Sequence, residues 1–195
     1  MRILIAVPTF EHIQNEVFQA IWDIDKGEHQ VDFKVITGHD CARARNIIAK
    51  YATDLNYDYV LMVDSDTMIP KNTLTALLDP AADIVMGCCP KKNTNRGDYP
   101  LCPVTCADLS KCLTINDLQG EKRIPIKVGG FACALVKVDL FRKLPYPYFR
   151  FKEYESGAAL SEDYYFCLEA LHRGYKIYAD PRVKCGHLAR YYQYK

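Results

Sequence analysis

The stretch Tyr59-Val60-Leu61-Met62-Val63-Asp64-Ser65-Asp66 joins five apolar or aromatic residues to two carboxylates separated by one small residue. A run of this length, rich in β-formers, predicts a strand buried on both faces, as in a parallel sheet. Open α/β sheets bind their ligands at the carboxyl ends of such strands. If the backbone stays extended beyond the strand, Asp64 and Asp66 point the same way and converge.

Two convergent carboxylates repel each other unless a cation lies between them. Hard divalent cations prefer oxygen ligands, and they often bind one or two carboxylates together with substrate phosphates. The pair therefore predicts a divalent metal site that holds a nucleotide diphosphate. The alternative is a pair of solvated loop aspartates that cap the helix which follows.

Hydrophobic patterning on both sides of this strand predicts alternating strands and helices. Strands are expected at 3–7, 31–36, 83–87, 101–105, 124–128, 131–136 and 175–179, and helices at 13–24, 44–55, 70–78, 139–144 and 161–173. This order predicts a three-layer α/β/α fold with a mostly parallel, Rossmann-like sheet. The length of 195 residues suits a single domain, 1–195, with an irregular cysteine-rich insertion at about 88–122.

Composition excludes some classes of protein. The formal charge of +1 does not support a whole-protein field that captures nucleic acid. The first apolar run ends at Pro8 and is too short for a signal peptide, and no apolar stretch approaches membrane-spanning length. Nine cysteines without a secretion signal are better interpreted as reduced thiols. We therefore expect a cytoplasmic protein without a membrane span.

Two later positions are candidates for chemistry. Glu162 and Asp163 begin a helix, where carboxylates are favoured by the helix dipole; the functional interpretation is a general base directed into a cleft. His187 follows the last strand, where a third metal ligand is needed. Asp66, His187 and two diphosphate oxygens suit Mn²⁺, which accepts imidazole more readily than Mg²⁺ does. A lone histidine is more often an ordinary surface or core residue.

The turn before the second long helix contains Asp40, Arg43 and Arg45. The arginines are candidates for contact with a phosphate or a base, and Asp40 for accepting hydrogen bonds from a base or ribose; the alternative is a solvated helix start. No glycine-rich phosphate loop is present, so metal and side chains must hold the phosphates. The cysteines of the insertion match no common Cys-x-x-Cys spacing, which argues against structural zinc.

Taken together, these pieces resemble a nucleotide-sugar glycosyltransferase of the GT-A fold, most like family 2. The segments that carry the resemblance span nearly the whole chain: Ala6-Val7-Pro8-Thr9-Phe10, Ala44-Arg45-Asn46, Val63-Asp64-Ser65-Asp66, Glu162-Asp163 and Leu171-His172-Arg173-Gly174-Tyr175-Lys176-Ile177. Each is weak alone, and their order and spacing are fairly specific. The chain departs from the family at Thr37-Gly38-His39-Asp40, where an acidic pair usually follows the second strand.

The resemblance implies transfer of a sugar from a nucleotide diphosphate donor, with UDP favoured, to an acceptor hydroxyl. It implies an inverting displacement with Asp163 as base and Glu162 beside it, and Mn²⁺ (or Mg²⁺) as cofactor. The residues expected to hold the metal are Asp64, Asp66 and His187. The residues expected to hold the nucleotide and donor sugar are Pro8, Thr9, Phe10, Glu11, Asp40, Arg43, Arg45, Asp64, Ser65, Gly129 and Gly130.

Three other functions remain open at this stage. A nucleotidyltransferase would share the sheet and carboxylates but normally has a glycine-rich turn after the first strand. A haloacid-dehalogenase-type phosphatase also uses Asp-x-Asp, with Thr or Val where this chain has Met68. A non-catalytic sugar or nucleic-acid binding module would not need Asp163. The acceptor is a glycan, a protein, a small molecule or a hydroxylated DNA base; the basic, aromatic C-terminus keeps the last of these open.

Overall fold

A computed structural model of the protein describes residues 1–91, 100–105 and 112–188. Within them the helices are α1 (Asn15–Trp22), α2 (Cys41–Asp54), α3 (Thr73–Leu77), α4 (Val138–Lys143) and α5 (Glu162–His172). The strands are β1 (Arg2–Pro8), β2 (Gln30–Ile36), β3 (Tyr59–Val63), β4 (Thr67–Met68), β5 (Ile84–Cys88), β6 (Pro100–Thr105), β7 (Cys112–Thr114), β8 (Ile124–Val128), β9 (Cys133–Lys137), β10 (Lys152–Glu153), β11 (Ala159–Leu160), β12 (Ile177–Lys184) and β13 (Gly186–His187).

Nine of these strands form one sheet in the order β2-β1-β3-β9-β5-β12-β8-β6-β7. Strands β2, β1 and β3 are parallel, as are β5 and β12, whereas β9 runs antiparallel to both β3 and β5. Strands β8, β6 and β7 continue the sheet by antiparallel pairing. The carboxyl ends of β1 and β3 therefore lie side by side at one edge of the sheet.

The sheet is buried on both faces, because successive side chains of its central strands enter different hydrophobic clusters. Leu4, Val60 and Val136 belong to the cluster beneath α2, α4 and α5. Their neighbours Leu61 and Leu135 belong to the cluster beneath α1 and α3. The expected three-layer α/β/α architecture is confirmed, and nearly every expected element is present with its ends shifted by a few residues.

The direction of β9 is the main feature that the apolar pattern does not reveal. A strand buried on both faces has the same composition whichever way it runs, so its sequence carries no signal for direction. The last strand is also longer than expected, because Asp180 and Arg182 continue it as polar residues. The insertion expected at 88–122 contains β6 and β7, and its remainder lies partly outside the described residues.

Two short ladders outside the main sheet position the loops above it. Strand β4 pairs with β13, and β10 pairs with β11 as a hairpin just before α5. Across the part of the chain that the structure describes, no helix combines the length and apolar character needed to cross a bilayer.

Candidate active site

The Asp64–Asp66 segment turns sharply after β3. The amide of Asp64 donates to the carbonyl of Ala132 (3.0 Å), and the amide of Thr67 donates back to the carbonyl of Asp64 (3.1 Å). This turn replaces the extended exit that the sequence argument assumed. As a result the two carboxylates lie near each other but face different partners: Asp64 faces Arg45, and Asp66 faces His187.

Asp66 and His187 come together although they are distant in sequence. Oδ1 of Asp66 is 3.4 Å from Nε2 of His187. The β4–β13 ladder holds them, with Thr67 opposite His187, and the amide of Leu188 donates to the carbonyl of Asp66 (2.9 Å). The structure thus brings together two side chains that the sequence named as metal ligands, and their role as ligands stays a prediction.

The other ring nitrogen of His187 contacts a backbone carbonyl. Nδ1 lies 2.8 Å from the carbonyl oxygen of Pro90. A carbonyl only accepts hydrogen bonds, so Nδ1 carries the hydrogen, and in the neutral ring Nε2 presents a lone pair toward Asp66. Metal-ligating histidines usually donate their second nitrogen to a carbonyl in this way. A cation bound by Nε2 of His187 and Oδ1 of Asp66 would suit this arrangement.

Arg45 joins the two acidic motifs of the site. Its guanidinium, 3% exposed, is 2.8 Å from Oδ1 of Asp64 and also pairs with Oε1 of Glu162, which lies 117 residues further along the chain. Burial raises the pKa of Asp64 and of Glu162, and the charge of Arg45 opposes that rise. Arg45 thus holds the end of β3 against the start of α5, and its predicted contact with a base or phosphate stays a prediction.

Asp163 presents its carboxylate differently from Glu162. Its Oδ1 accepts hydrogen bonds from the hydroxyl of Ser161 and from the amide of Tyr164 (2.8 Å). Among the described residues no hydrogen bond reaches Oδ2. Because Glu162 is buried against Arg45 and Asp163 is only partly buried, Asp163 is the carboxylate of this pair with an oxygen available to substrate.

The expected nucleotide residues near the N-terminus form a loop beside this site. Pro8 ends β1. Two hydrogen bonds fix Thr9: its amide donates to the carbonyl of Ile36 (2.9 Å), and its hydroxyl donates to the carbonyl of His12 (2.8 Å). The side chains of Phe10 and Glu11 are each 71% exposed. The loop meets the Asp-x-Asp turn where the amide of Gln14 approaches the carbonyl of Ser65 (3.3 Å).

The other residues expected to bind the nucleotide-sugar donor lie in two other parts of the structure. Asp40 is the N-cap of α2 and accepts a hydrogen bond from the amide of Arg43 (2.9 Å), whose side chain is exposed. Gly129 and Gly130 lie between β8 and β9, directly before Phe131 and the Ala132 carbonyl that anchors Asp64. The glycines are therefore brought next to the acidic site, whereas the carboxylate of Asp40 is used to start a helix.

The positions of the side chains that could act as metal ligands show whether a cation fits this site. Two ligands about 2.1 Å from one ion and at right angles to each other are about 3 Å apart, close to the 3.4 Å between Asp66 and His187. Among the described residues, one buried guanidinium, that of Arg45, accompanies four carboxylates at this site: Asp64, Asp66, Glu162 and Asp163. Within residues 1–91, 100–105 and 112–188, however, no three His, Cys, Asp or Glu side chains are placed to hold a metal by themselves.

The contacts of α2 are not predicted by the spacing of its apolar residues. Arg45 lies on the apolar stripe of this helix, three and four residues before the buried Ile48 and Ala49. An arginine on a buried stripe requires carboxylate partners, and this was the available signal. The next residue, Asn46, is also buried; its amide group bonds to the backbone of Tyr148 and Phe149 and so holds the segment that leads to the β10–β11 hairpin.

Seven cysteines of the described residues form no disulfide bond: Cys41, Cys88, Cys89, Cys112, Cys133, Cys167 and Cys185. Cys106 and the side chain of Cys102 lie outside the described residues, as does the basic C-terminal segment 189–195.

Comparison with known proteins identifies one family and several solved structures of similar fold. The sequence profile described as glycosyl transferase family 2 matches residues 19–144, more than half of the chain. No curated protein sequence matches. Among solved structures, A197 from STIV is similar, with a TM-score of 0.67 and 18% identity over 97% of this chain and 87% of that chain.

Two further structures share the fold at low identity. GalNAc-T7, solved with UDP, GalNAc and Mn²⁺, gives a TM-score of 0.61 and 12% identity, over 96% of this chain and 44% of its own. Residues 1–349 of S. aureus TarS, solved with UDP, give a TM-score of 0.54 and 21% identity, over 92% of this chain and 57% of that chain. The present chain therefore spans less than two thirds of the length of these two proteins. Together the neighbours confirm the expected GT-A fold.

Proposed function

Since this chain belongs to glycosyl transferase family 2, we propose that it moves a sugar from a UDP-sugar to an acceptor hydroxyl, with inversion and with a divalent cation bound beside Asp66. UDP is preferred because two proteins of the same fold, GalNAc-T7 and TarS, were solved with it. One of them also holds Mn²⁺. The single sheet with its two flanking cores supports treating residues 1–195 as one catalytic domain.

The approach of Asp66 to His187 carries this proposal. A carboxylate oxygen and an imidazole nitrogen 3.4 Å apart, with the far nitrogen bonded to Pro90, suit a cation that takes its remaining ligands from a diphosphate. When bound, such a cation neutralises charge that develops on the departing diphosphate. Asp64, already paired with Arg45, is assigned to the ribose side of the donor.

Asp163 is assigned as the general base. The acceptor oxygen forms a bond to the anomeric carbon while its proton passes to Oδ2 of Asp163, and the bond from that carbon to the diphosphate oxygen breaks. Ser161 and the Tyr164 amide orient the carboxylate through Oδ1. Glu162, buried against Arg45, acts as a positioning residue that fixes the start of α5.

Titration calorimetry of UDP and GDP, each with and without Mn²⁺, tests the donor site. Wild type should bind UDP in a metal-dependent manner, and His187→Ala should lower that affinity about 10–100-fold because one ligand is lost. His172→Ala, at the exposed end of α5, is the matched control and should match wild type. Binding of neither nucleotide by wild type, or undiminished binding by His187→Ala, would overturn the proposal.

A further inference from the structure

The β10–β11 hairpin lies directly before the proposed base. Lys152 pairs with Leu160 and Glu153 with Ala159, and the tip is closed by hydrogen bonds between Tyr154 and Ala158 and between Gly157 and Tyr154 (both 2.9 Å). Three residues after the hairpin comes Asp163. The base of the hairpin therefore leads directly into the segment that carries the group assigned to take the acceptor proton.

Both ends of the hairpin are fixed against α5. On the entry side, Phe149 is buried and stacks on Phe166 (ring centroids 4.4 Å apart), and the guanidinium of Arg150 lies 4.4 Å from the ring centre of Tyr165. On the exit side, the Ser161 hydroxyl bonds to Asp163. The hairpin is thus a projection with a rigid base, and its side chains have a defined position relative to the carboxylate.

Two aromatic rings of this projection are exposed. Phe151 is 62% exposed and Tyr154 is 44% exposed. The Lys152 ammonium lies over the Tyr154 ring at 4.9 Å, whereas no ring or cation contact is found for Phe151 among the described residues. Phe151 directly precedes Lys152 and Ser161 directly follows Leu160, so both residues flank the Lys152–Leu160 pair at the base of the hairpin. Phe151 is therefore an exposed apolar side chain at the end of the hairpin from which the chain continues into the Ser161–Asp163 pair.

Charge distinguishes the classes of ligand that suit this face. Residues 150–160 contain two basic side chains, Arg150 and Lys152, and two acidic ones, Glu153 and Glu155. A locally neutral surface lacks the positive groove by which proteins hold a single-stranded nucleic acid. A sugar presents apolar C–H faces as well as hydroxyl groups, and an exposed aromatic ring beside polar groups is the usual way to bind such a mixed surface.

We infer that Phe151 is the platform of an acceptor site and that the acceptor is an uncharged saccharide, whose ring packs on Phe151 while one hydroxyl reaches Asp163. This inference rests on the proposed function and names its second substrate. Tyr154, at the tip, extends the same projection for a second sugar unit.

The test separates acceptor binding from donor binding. Saturation-transfer NMR would be recorded with UDP and Mn²⁺ present, using xylobiose, cellobiose, maltose and chitobiose as neutral probes and a 20-mer of deoxythymidine as the charged probe. Wild type should bind at least one disaccharide and not the oligonucleotide. Phe151→Ala should weaken that binding at least fivefold without changing UDP affinity. Phe151→Trp keeps an aromatic ring and should bind the disaccharide as wild type does.

Trp22→Ala is the matched control, because Trp22 is 67% exposed and lies on α1, which packs on the opposite face of the sheet from α5. It should bind the disaccharide as wild type does. Oligonucleotide binding in place of the sugars, binding of none of these probes by a protein that does bind UDP, or unchanged sugar binding by Phe151→Ala would overturn the acceptor assignment. Failure of wild type to bind UDP would instead overturn the proposed function.

Discussion

Replacing Arg45 by methionine tests the central electrostatic feature of the site. The substitution keeps a long side chain in the α2 position but removes the charge between two carboxylates. Breaking a buried ion pair from one side costs about 3–5 kcal/mol, because an uncompensated charge stays in the interior. Here Glu162, only 8% exposed, carries most of that cost, whereas Asp64, 32% exposed, regains part of its hydration. We therefore expect a loss of about 3–5 kcal/mol in the free energy of unfolding.

The pH dependence of that loss provides a second check. Arg45 opposes the rise in the pKa of Asp64 and Glu162, so both pKa values rise further in the variant. A carboxyl group whose pKa is higher in the folded state binds more protons there than when unfolded. Its contribution to stability is therefore present at low pH and is lost as pH rises through the raised pKa. The deficit of Arg45→Met should be larger at about pH 8 than at about pH 5.

Urea denaturation at both pH values measures these quantities. For a chain of this size, a loss of about 1 kcal/mol corresponds to roughly 2–4 °C in Tm, so thermal unfolding gives an independent estimate. Arg43→Met, two residues earlier in α2 with an exposed side chain, is the matched control and should change stability by less than about 0.5 kcal/mol. A deficit below about 1 kcal/mol, or one that shrinks as pH rises, would refute the argument.

Two further substitutions test other parts of the structure. Asp163→Asn should lower the rate of sugar transfer about 10²–10⁴-fold because the base is lost, with UDP affinity by calorimetry unchanged; an equal fall in UDP affinity would instead place Asp163 in the donor site. Gly87→Ala should destabilise the protein by about 1–3 kcal/mol in urea denaturation, because the added Cβ would lie 2.9 Å from the side chain of Val183 and 3.0 Å from the Cys185 sulfur. Wild-type stability in Gly87→Ala would mean that β5 and β12 separate more easily than their packing indicates.

Much of the architecture is predictable from local pattern. The apolar runs at β1, β3 and β5, and the helical spacing of Ile48 and Ala52 on α2, identify strands and helices because burial selects side chains with the period of each element. The acidic pair at the end of β3 was likewise visible, since the carboxyl end of a buried strand is where an α/β sheet meets its ligands.

The contacts that those residues make with distant parts of the chain are not predictable from local pattern. Arg45 was visible as a charged residue near the site, but its contact with Glu162 depends on α2 and α5 packing side by side on one face of the sheet. The turn that directs Asp66 to His187 depends on the β4–β13 ladder, whose strands are too short to leave a periodic signal.

The amino-acid sequence by itself therefore determined the class of fold, the membership of a family and the residue types of the site, because each of these depends on composition and spacing within short segments. Only the tertiary structure decided the direction of β9, the pairing of Arg45 with both acidic motifs, and the contact of His187 with the Pro90 carbonyl. Such features depend on distances between residues far apart in the chain, and those distances are set by strand order and helix packing.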